Sequence, residues 1–395
     1  MKEFKTILEA YHKIDFNERK VALATVVQVK GSSYRSPGAR MLMLDNGRWV
    51  GSISGGCLEG DALRKARQVI LSGEPRTVTY DTSNDDDNQL GIGLGCNGII
   101  DIIIEPIDPN QESNPITNLE TFLNYGGLGA SATVFESSTE NIPVGSKVDL
   151  NDKQELSGAS NELQQLLIAD LHAVVENQKP EIKSFEIQGE KIKVFFELIQ
   201  PGIDLLIFGG GFDAKPVTEL AHVLGWNVRV TDECVAHLVP INFPLANQLQ
   251  SCKREFVQKE IKITPFTAVV LMSHNLKYDE EVMRQIINSD APYIGILGPK
   301  KRAEKIFKTL KDKYEIDITS HQLDKIHAPI GLDIGAETPD EIAVSIISEI
   351  QAKFSNRSGG FIKYRTGPIH HRDGKEDQVF RQVYLKNFFP KQKSN

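Results

Sequence analysis

Two glycine-framed cysteines carry the most visible chemistry of this chain: Cys57 in GSISGGCLEGD (Gly51 to Asp61) and Cys96, 39 residues on, in GLGCNG (Gly93 to Gly98). A thiolate is a soft donor to metals and a nucleophile toward sulfur. Gly55 and Gly56 leave room beside Cys57 for a bulky ligand, so both loops are candidates to face one pocket. Cys57 opens a helical pattern, where the dipole favours a thiolate, while Glu59 and Asp61 oppose that ionisation. The competing reading makes Cys57 a small apolar side chain in a glycine-rich packing site.

A second constellation begins at residue 203. IDLLIFGGGFDAKPVTELAHVLGWNVRVTD reads strand, glycine turn, helix, strand. Gly209, Gly211 and Ala214 fit G-x-G-x-x-A, and Asp232 lies 23 residues beyond Gly209, where a ribose-binding carboxylate is expected. Backbone N–H groups of such a turn can approach a pyrophosphate. The same glycines also serve a doubly wound domain that needs only close helix–strand packing. His274 follows the strand AVVLM (Ala268 to Met272), and Lys300 and Arg302 follow YIGIL (Tyr293 to Leu297). Ligands of parallel sheets bind outside these carboxyl ends. His274 is placed to bind or exchange a proton, and Lys300 and Arg302 either pair with phosphate or stay solvated. No second base pairs with His274 and no histidine partners Cys57, so the sequence assigns no catalytic residue and no metal ligand set.

These groups need a scaffold, and the patterning supplies one. Val21 to Val29 reads as a buried strand, and Met41 to Leu44 with Trp49 to Ile53 forms a hairpin around Asp45-Asn46-Gly47. Leu58, Ala62, Ala66, Val69 and Ile70 share one helical face ending near Gly73. Ile99 to Glu105 is a strand, and Pro106 to Pro115 a polar connector with small hairpins expected beyond it. Leu163 to Val175 is an amphipathic helix, and Ile182 to Leu198 is two strands turning at Gln188-Gly189-Glu190. Thr338-Pro339-Asp340-Glu341 is a capping box that starts a helix through Ile350.

Composition narrows the class. The chain has 395 residues, 45 Lys and Arg against 53 Asp and Glu, and a net charge of −8, so nothing points to nucleic acid or to an anionic membrane surface. Its four cysteines show no C-x-x-C pairing, which fits a reduced compartment rather than a disulfide framework or a structural zinc site. The N-terminus has no apolar signal region, and no apolar run approaches the ~20 residues of a membrane span. A cytoplasmic location is expected.

Taken in order, GSS-x-R-x-PGAR (Gly31 to Arg40), GSISGGCLEGD, GLGCNG, the Gly209 turn, SHN-x-x-x-D (Ser273 to Asp279), YIGILGPKKR (Tyr293 to Arg302) and PIGLDIGAETPDEIAVSI (Pro329 to Ile346) resemble the XdhC/CoxI family over most of the chain. The chain departs from the pattern at Tyr34, Asn97, Cys234 and Pro299, where the family often has proline, glycine, arginine and serine. The Cys234 change bears on which phosphate or nucleotide the second half accepts.

The resemblance implies an accessory role for molybdenum hydroxylases such as xanthine dehydrogenase. A member would bind the molybdenum cofactor (molybdopterin, with or without a nucleotide), support its sulfuration with a cysteine desulfurase, and insert it into the apo-hydroxylase. Cys57 would be the principal thiol and Cys96 the second candidate; a homodimer is compatible with this role. The alternative from a different class is an NAD(P)-dependent oxidoreductase using the second half. The expected fold is α/β: a mixed α+β domain over residues 1–199, a Rossmann-like doubly wound parallel sheet over 200–354, and a tail over 355–395. The expected cofactor-binding residues are Gly55, Gly56, Cys57, Glu59, Cys96, Gly209, Gly211, Ala214, Asp232, His274, Lys300 and Arg302.

Overall fold

A computed structural model describes residues 1–31, 33–81, 98–111 and 114–364. The chain divides into two compact units, Met1–Pro201 and Gly202–Asn395. Among the described residues, no helix is long and apolar enough to cross a membrane.

The first unit runs α1 (Lys2–Tyr11), β1 (Val21–Gly31), β2 (Arg40–Leu44), β3 (Trp49–Gly51), α2 (Glu59–Ser72), β4 (Arg76–Asp81), β5 (Gly98–Ile107), α3 (Pro115–Leu123), β6 (Gly129–Ser137), β7 (Lys147–Leu150), β8 (Leu156–Gly158), α4 (Asn161–Asn177), β9 (Glu181–Ile187) and β10 (Glu190–Ile199). Its strands form two five-stranded sheets, ordered β3-β2-β1-β5-β4 and β8-β7-β6-β10-β9. All the pairings are antiparallel.

Alternation decides the layers, because successive side chains of a strand point to opposite faces. Ala22, Ala24, Val26, Met41, Ile100, Ile102 and Ile104 pack one face of the first sheet against Leu58, Ala62, Ala66 and Val69 at the start and along the face of α2. Ala130, Ala132, Val134, Val194 and Phe196 do the same for the second sheet against Leu163, Leu167, Leu171 and Val174 of α4.

The layer between the two sheets is partly charged. Arg40 of β2 reaches Glu197 of β10 (Nη2 to Oε2, 2.6 Å), and Lys147 of β7 reaches Glu105 of β5 (2.7 Å). Both pairs are largely shielded from water, so each sheet holds the other through ions as well as through Val27, Ile103, Phe135 and Phe195. The Arg40 guanidinium also donates to the Gly38 carbonyl and lies over the Phe4 ring. The R-x-PGAR stretch thus builds the sheet junction: its Arg35 pairs with Glu3, whose carboxylate also accepts the Arg40 N–H.

One expectation is corrected here. Beyond the proline-rich connector the chain forms α3 before any hairpin. Asn114 caps that helix in a reciprocal box with Thr117, Pro115 stands at its first position, and Ile116, Leu119 and Phe122 bury one face. The strand β5 also runs through Pro106 to Ile107.

The second unit runs β11 (Asp204–Phe208), α5 (Ala214–Val223), β12 (Asn227–Asp232), β13 (Gln248–Ser251), α6 (Val257–Glu260), β14 (Thr267–Leu271), α7 (Leu276–Ile286), β15 (Tyr293–Ile296), α8 (Lys300–Tyr314), α9 (Ser320–Leu323), β16 (Ile326–His327) and α10 (Pro339–Phe354). All six strands are parallel, in the order β13-β12-β11-β14-β15-β16. Helices α5 and α10 cover one face through Val217, Ala221, Ile346 and Ile350, and α7 and α8 cover the other through Val282, Ile286, Ile306 and Leu310. This is a doubly wound sheet, and its order reverses between β11 and β14, where such sheets take ligands.

Removing one partner of the Arg40–Glu197 pair strands a buried charge. Glu197→Ala should therefore lower stability by about 3–5 kcal/mol in urea denaturation, and Arg40→Met combined with Glu197→Leu should recover most of it. Equal losses in the single and double variants would show that the ions do not join the sheets.

Candidate functional site

The Cys57 loop is shaped by an internal anion. Glu59, at the first position of α2, folds back under the loop and is 3% exposed. Its Oε1 accepts from the Ser52 hydroxyl (2.8 Å) and from the N–H groups of Ile53 (3.1 Å), Ser54 (3.0 Å) and Gly55 (3.2 Å). Its Oε2 accepts from the Ser54 hydroxyl and from the N–H groups of Gly56 (2.9 Å) and Leu58 (3.1 Å). Burial alone would raise this carboxyl, but the donors from Ser54, Ser52 and the loop backbone outweigh it and hold it down at about 2. The glycine loop therefore spends its N–H groups on its own protein.

Cys57 is left exposed on this locked loop, immediately before the helix cap at Leu58. Gly55 (φ 91°) has no room for a side chain: a Cβ there would lie 2.7 Å from the Tyr34 ring, which is itself exposed. Gly56 (φ 120°) differs, since a Cβ there would meet nothing within 4 Å. Open space thus adjoins the thiol. Asp61 pairs with Lys65 (2.9 Å) and Arg64 (2.5 Å), which offsets its charge near the helix start.

Strand pairing gathers other loops at the same sheet end. Gly31 lies opposite Gly98, Asp81 opposite Ile99 and Met41 opposite Gly51, so β1, β4 and β3 finish there, and β2 and β5 begin there. Cys96 itself lies outside the described residues.

In the second unit the carboxyl ends of β11 and β14 meet closely. A Cβ at Gly209 would come within 2.5 Å of the Ser273 Cα, and one at Gly210 within 2.8 Å of the His237 carbonyl oxygen. Gly211 has ordinary room, 3.6 Å from the His274 ring. The tight packing falls on the first two glycines, with Ala214 fully buried at the start of α5.

Asp232, 5% exposed, accepts from the Gly210 N–H (2.9 Å), the Cys234 N–H (2.9 Å) and His237 Nδ1 (2.9 Å). It clasps the glycine turn, leaving about one of its roughly four lone-pair directions for a ligand. His274 stands in left-handed backbone (φ 58°) with Nε2 3.0 Å from Asp213. Lys300 is exposed at the start of α8. The Arg302 guanidinium engages Asp279 (2.6 Å), which is 0% exposed and also accepts from Ser273 (2.6 Å). Burial pushes the Asp279 carboxyl up against these bonds.

Known proteins are similar to this chain. The XdhC and CoxI family matches residues 17–81, and the XdhC Rossmann domain matches residues 205–350. A Bacillus subtilis (strain 168) protein described as a probable subunit of xanthine dehydrogenase is 31% identical over 357 residues, covering 89% of this chain and 97% of that protein. The chain belongs to the XdhC and CoxI family.

A solved structure from Bacillus halodurans, described as a xanthine dehydrogenase, superposes with a TM-score of 0.69 at 29% identity, covering 89% of this chain and 97% of that one. The Escherichia coli (strain K12) molybdenum cofactor insertion chaperone PaoD is 21% identical over 348 residues, 88% of each chain. Within the XdhC and CoxI pattern, the structure brings Gly55, Gly56 and Cys57 into one loop held from the start of α2 by Glu59, and Gly209, Gly211, Ala214, Asp232 and His274 to one sheet mouth. Sequence reasoning missed His237, Asp213 and the inward course of Glu59. The signals for them were weak: a histidine five residues past the strand-end aspartate, an acid inside the glycine turn, and serines at 52 and 54 ahead of an acid at 59.

Glu59→Gln places an amide where donors converge. It should lower stability by roughly 3 kcal/mol at neutral pH and speed alkylation of Cys57. The native carboxyl lies below its ordinary value of 4.5, so its contribution is present above that value and fades as pH falls from there toward about 2. Denaturation of both proteins across that range should show their difference shrinking with acid. A difference independent of pH would mean that Glu59 is not the internal anion.

Proposed function

We propose that this chain is an accessory protein that carries the molybdenum cofactor, stabilises it, and supports its sulfuration and insertion into a xanthine dehydrogenase-like molybdenum hydroxylase. The single observation that carries this reading is the exposed Cys57 thiol on a loop whose backbone is already fixed by Glu59. Membership of the XdhC and CoxI family and likeness to an insertion chaperone support it.

The residues fit such a cargo. Thiolate sulfur suits a soft metal or a sulfur-bearing ligand, and the open side of Gly56 gives a bulky pterin room beside it. Preorganisation matters because a loop ordered before binding loses little entropy on taking its ligand. The cargo brings the redox chemistry; the chain holds, orients and shields it. A cysteine desulfurase as sulfur source, a homodimeric carrier and a cytoplasmic setting belong to the same proposal, as do Cys96 and Lys300 as further cofactor contacts. An NAD(P) ligand is disfavoured by Asp232, whose donors are already in place.

Anaerobic purification from cells making the cofactor, followed by mass and optical analysis, should yield a bound pterin. Cys57→Ala should keep its melting temperature within about 2 °C and lose about tenfold or more of the retained cofactor and of its transfer to apo-hydroxylase. Wild-type retention and transfer by the variant, or a bound nicotinamide dinucleotide in place of a pterin, would overturn the reading.

A further inference from the structure

Two histidines flank the glycine turn of the second unit, each gripped by a carboxylate through one ring nitrogen. His237 is held at Nδ1 by Asp232 (2.9 Å) and His274 at Nε2 by Asp213 (3.0 Å). A carboxylate only accepts, so each gripped nitrogen carries a hydrogen, and His237 Nε2 and His274 Nδ1 are left for other partners. Both side chains are more than half exposed, at 52% and 62%. They border consecutive glycines: a Cβ at Gly210 would meet the His237 Cβ at 2.9 Å, and one at Gly211 the His274 Cδ2 at 3.6 Å. A non-glycine residue in left-handed backbone is uncommon, and His274 adopts that backbone here beside the turn.

The turn's backbone is only partly open to an anion. The N–H groups of Gly209, Gly210, Ala214 and Lys215 are taken by Thr231, Asp232, Gly211 and Phe212, and Pro216 has none, which leaves those of Gly211, Phe212 and Asp213. Asp213 and Asp232 add two negative charges to the same place. Around His237, Glu233 is paired with Arg254, and Lys215 is hydrogen-bonded to Asn242 (2.8 Å) over the Phe212 ring. Around His274, Asp279 is neutralised by Arg302. A phosphate arriving here needs added positive charge, and the outward imidazole nitrogens can supply it.

We propose that His237 and His274 are ligand-binding side chains of this unit, taking a phosphate or pyrophosphate group as imidazolium ions beside the turn's remaining N–H groups, so that binding takes up protons. Asp232 and Asp213 act as positioning residues that fix which nitrogen faces the ligand. The carrier reading enters only in assigning that phosphate to the cofactor.

Sulfate tests the site, since it mimics a phosphate dianion and keeps its charge between about pH 5.5 and pH 8.5, where imidazoles titrate. NMR titration of the full chain at constant ionic strength, with His237→Gln and His274→Gln assigning the imidazole C2–H resonances, should show both shifting with sulfate at the acid end. Apparent affinity should fall about tenfold or more toward the alkaline end. His237→Gln with His274→Gln should bind sulfate weakly at every pH while unfolding at the wild-type temperature; if the pair perturbs folding, His274→Gln alone carries the test. Unmoved histidine resonances, or equal affinity in wild type and variant, would overturn the proposal. Cofactor retention through Cys57 is read separately, so the two readings can fail independently.

Discussion

A buried carboxylate that gathers the N–H groups of a glycine loop is the interaction on which both candidate sites depend. Glu59 does this for Ile53, Ser54, Gly55, Gly56 and Leu58, and Asp232 for Gly210 and Cys234. Such a carboxylate is an acceptor of fixed position, so it orders a segment whose glycines would otherwise sample many conformations. The loops are then ordered by bonds within the chain itself. What they display outward is a side chain: the Cys57 thiol in one unit and the His237 ring in the other.

This changes what the glycines mean. A glycine-rich turn is usually read as backbone donors waiting for an anion. Here many of those donors face inward, and the glycines serve close approach instead: Gly209 against Ser273, Gly210 against His237, Gly55 against Tyr34. Gly56 and Gly211, which retain space, adjoin the thiol and the His274 ring.

The ionic layer of the first unit has a different consequence. Buried pairs such as Arg40–Glu197 and Lys147–Glu105 add little net stability over an apolar layer, but each charge admits few geometries in which it is satisfied. They tie β2 to β10 and β5 to β7, which fixes the second sheet against the sheet that carries the Cys57 loop.

The sequence by itself determined the local elements and the family. Continuous β-branched and apolar runs marked β1 and β5, the 3.6-residue period marked α2 and α4, and the capping box at Thr338 marked the start of α10. The glycine turn with Asp232 announced the doubly wound sheet, because those signals lie within about thirty neighbouring residues. The helix α3 was less legible, since a proline-rich polar connector masks an N-cap. Tertiary structure alone decided what each polar group is paired with. Whether Glu59 points outward or under its loop, whether Arg302 has a buried carboxylate beside it, and whether His237 joins the glycine turn depend on partners supplied by the fold. Residue type states that a charge needs a partner; only the packed chain brings one within the roughly 3 Å at which a hydrogen bond forms.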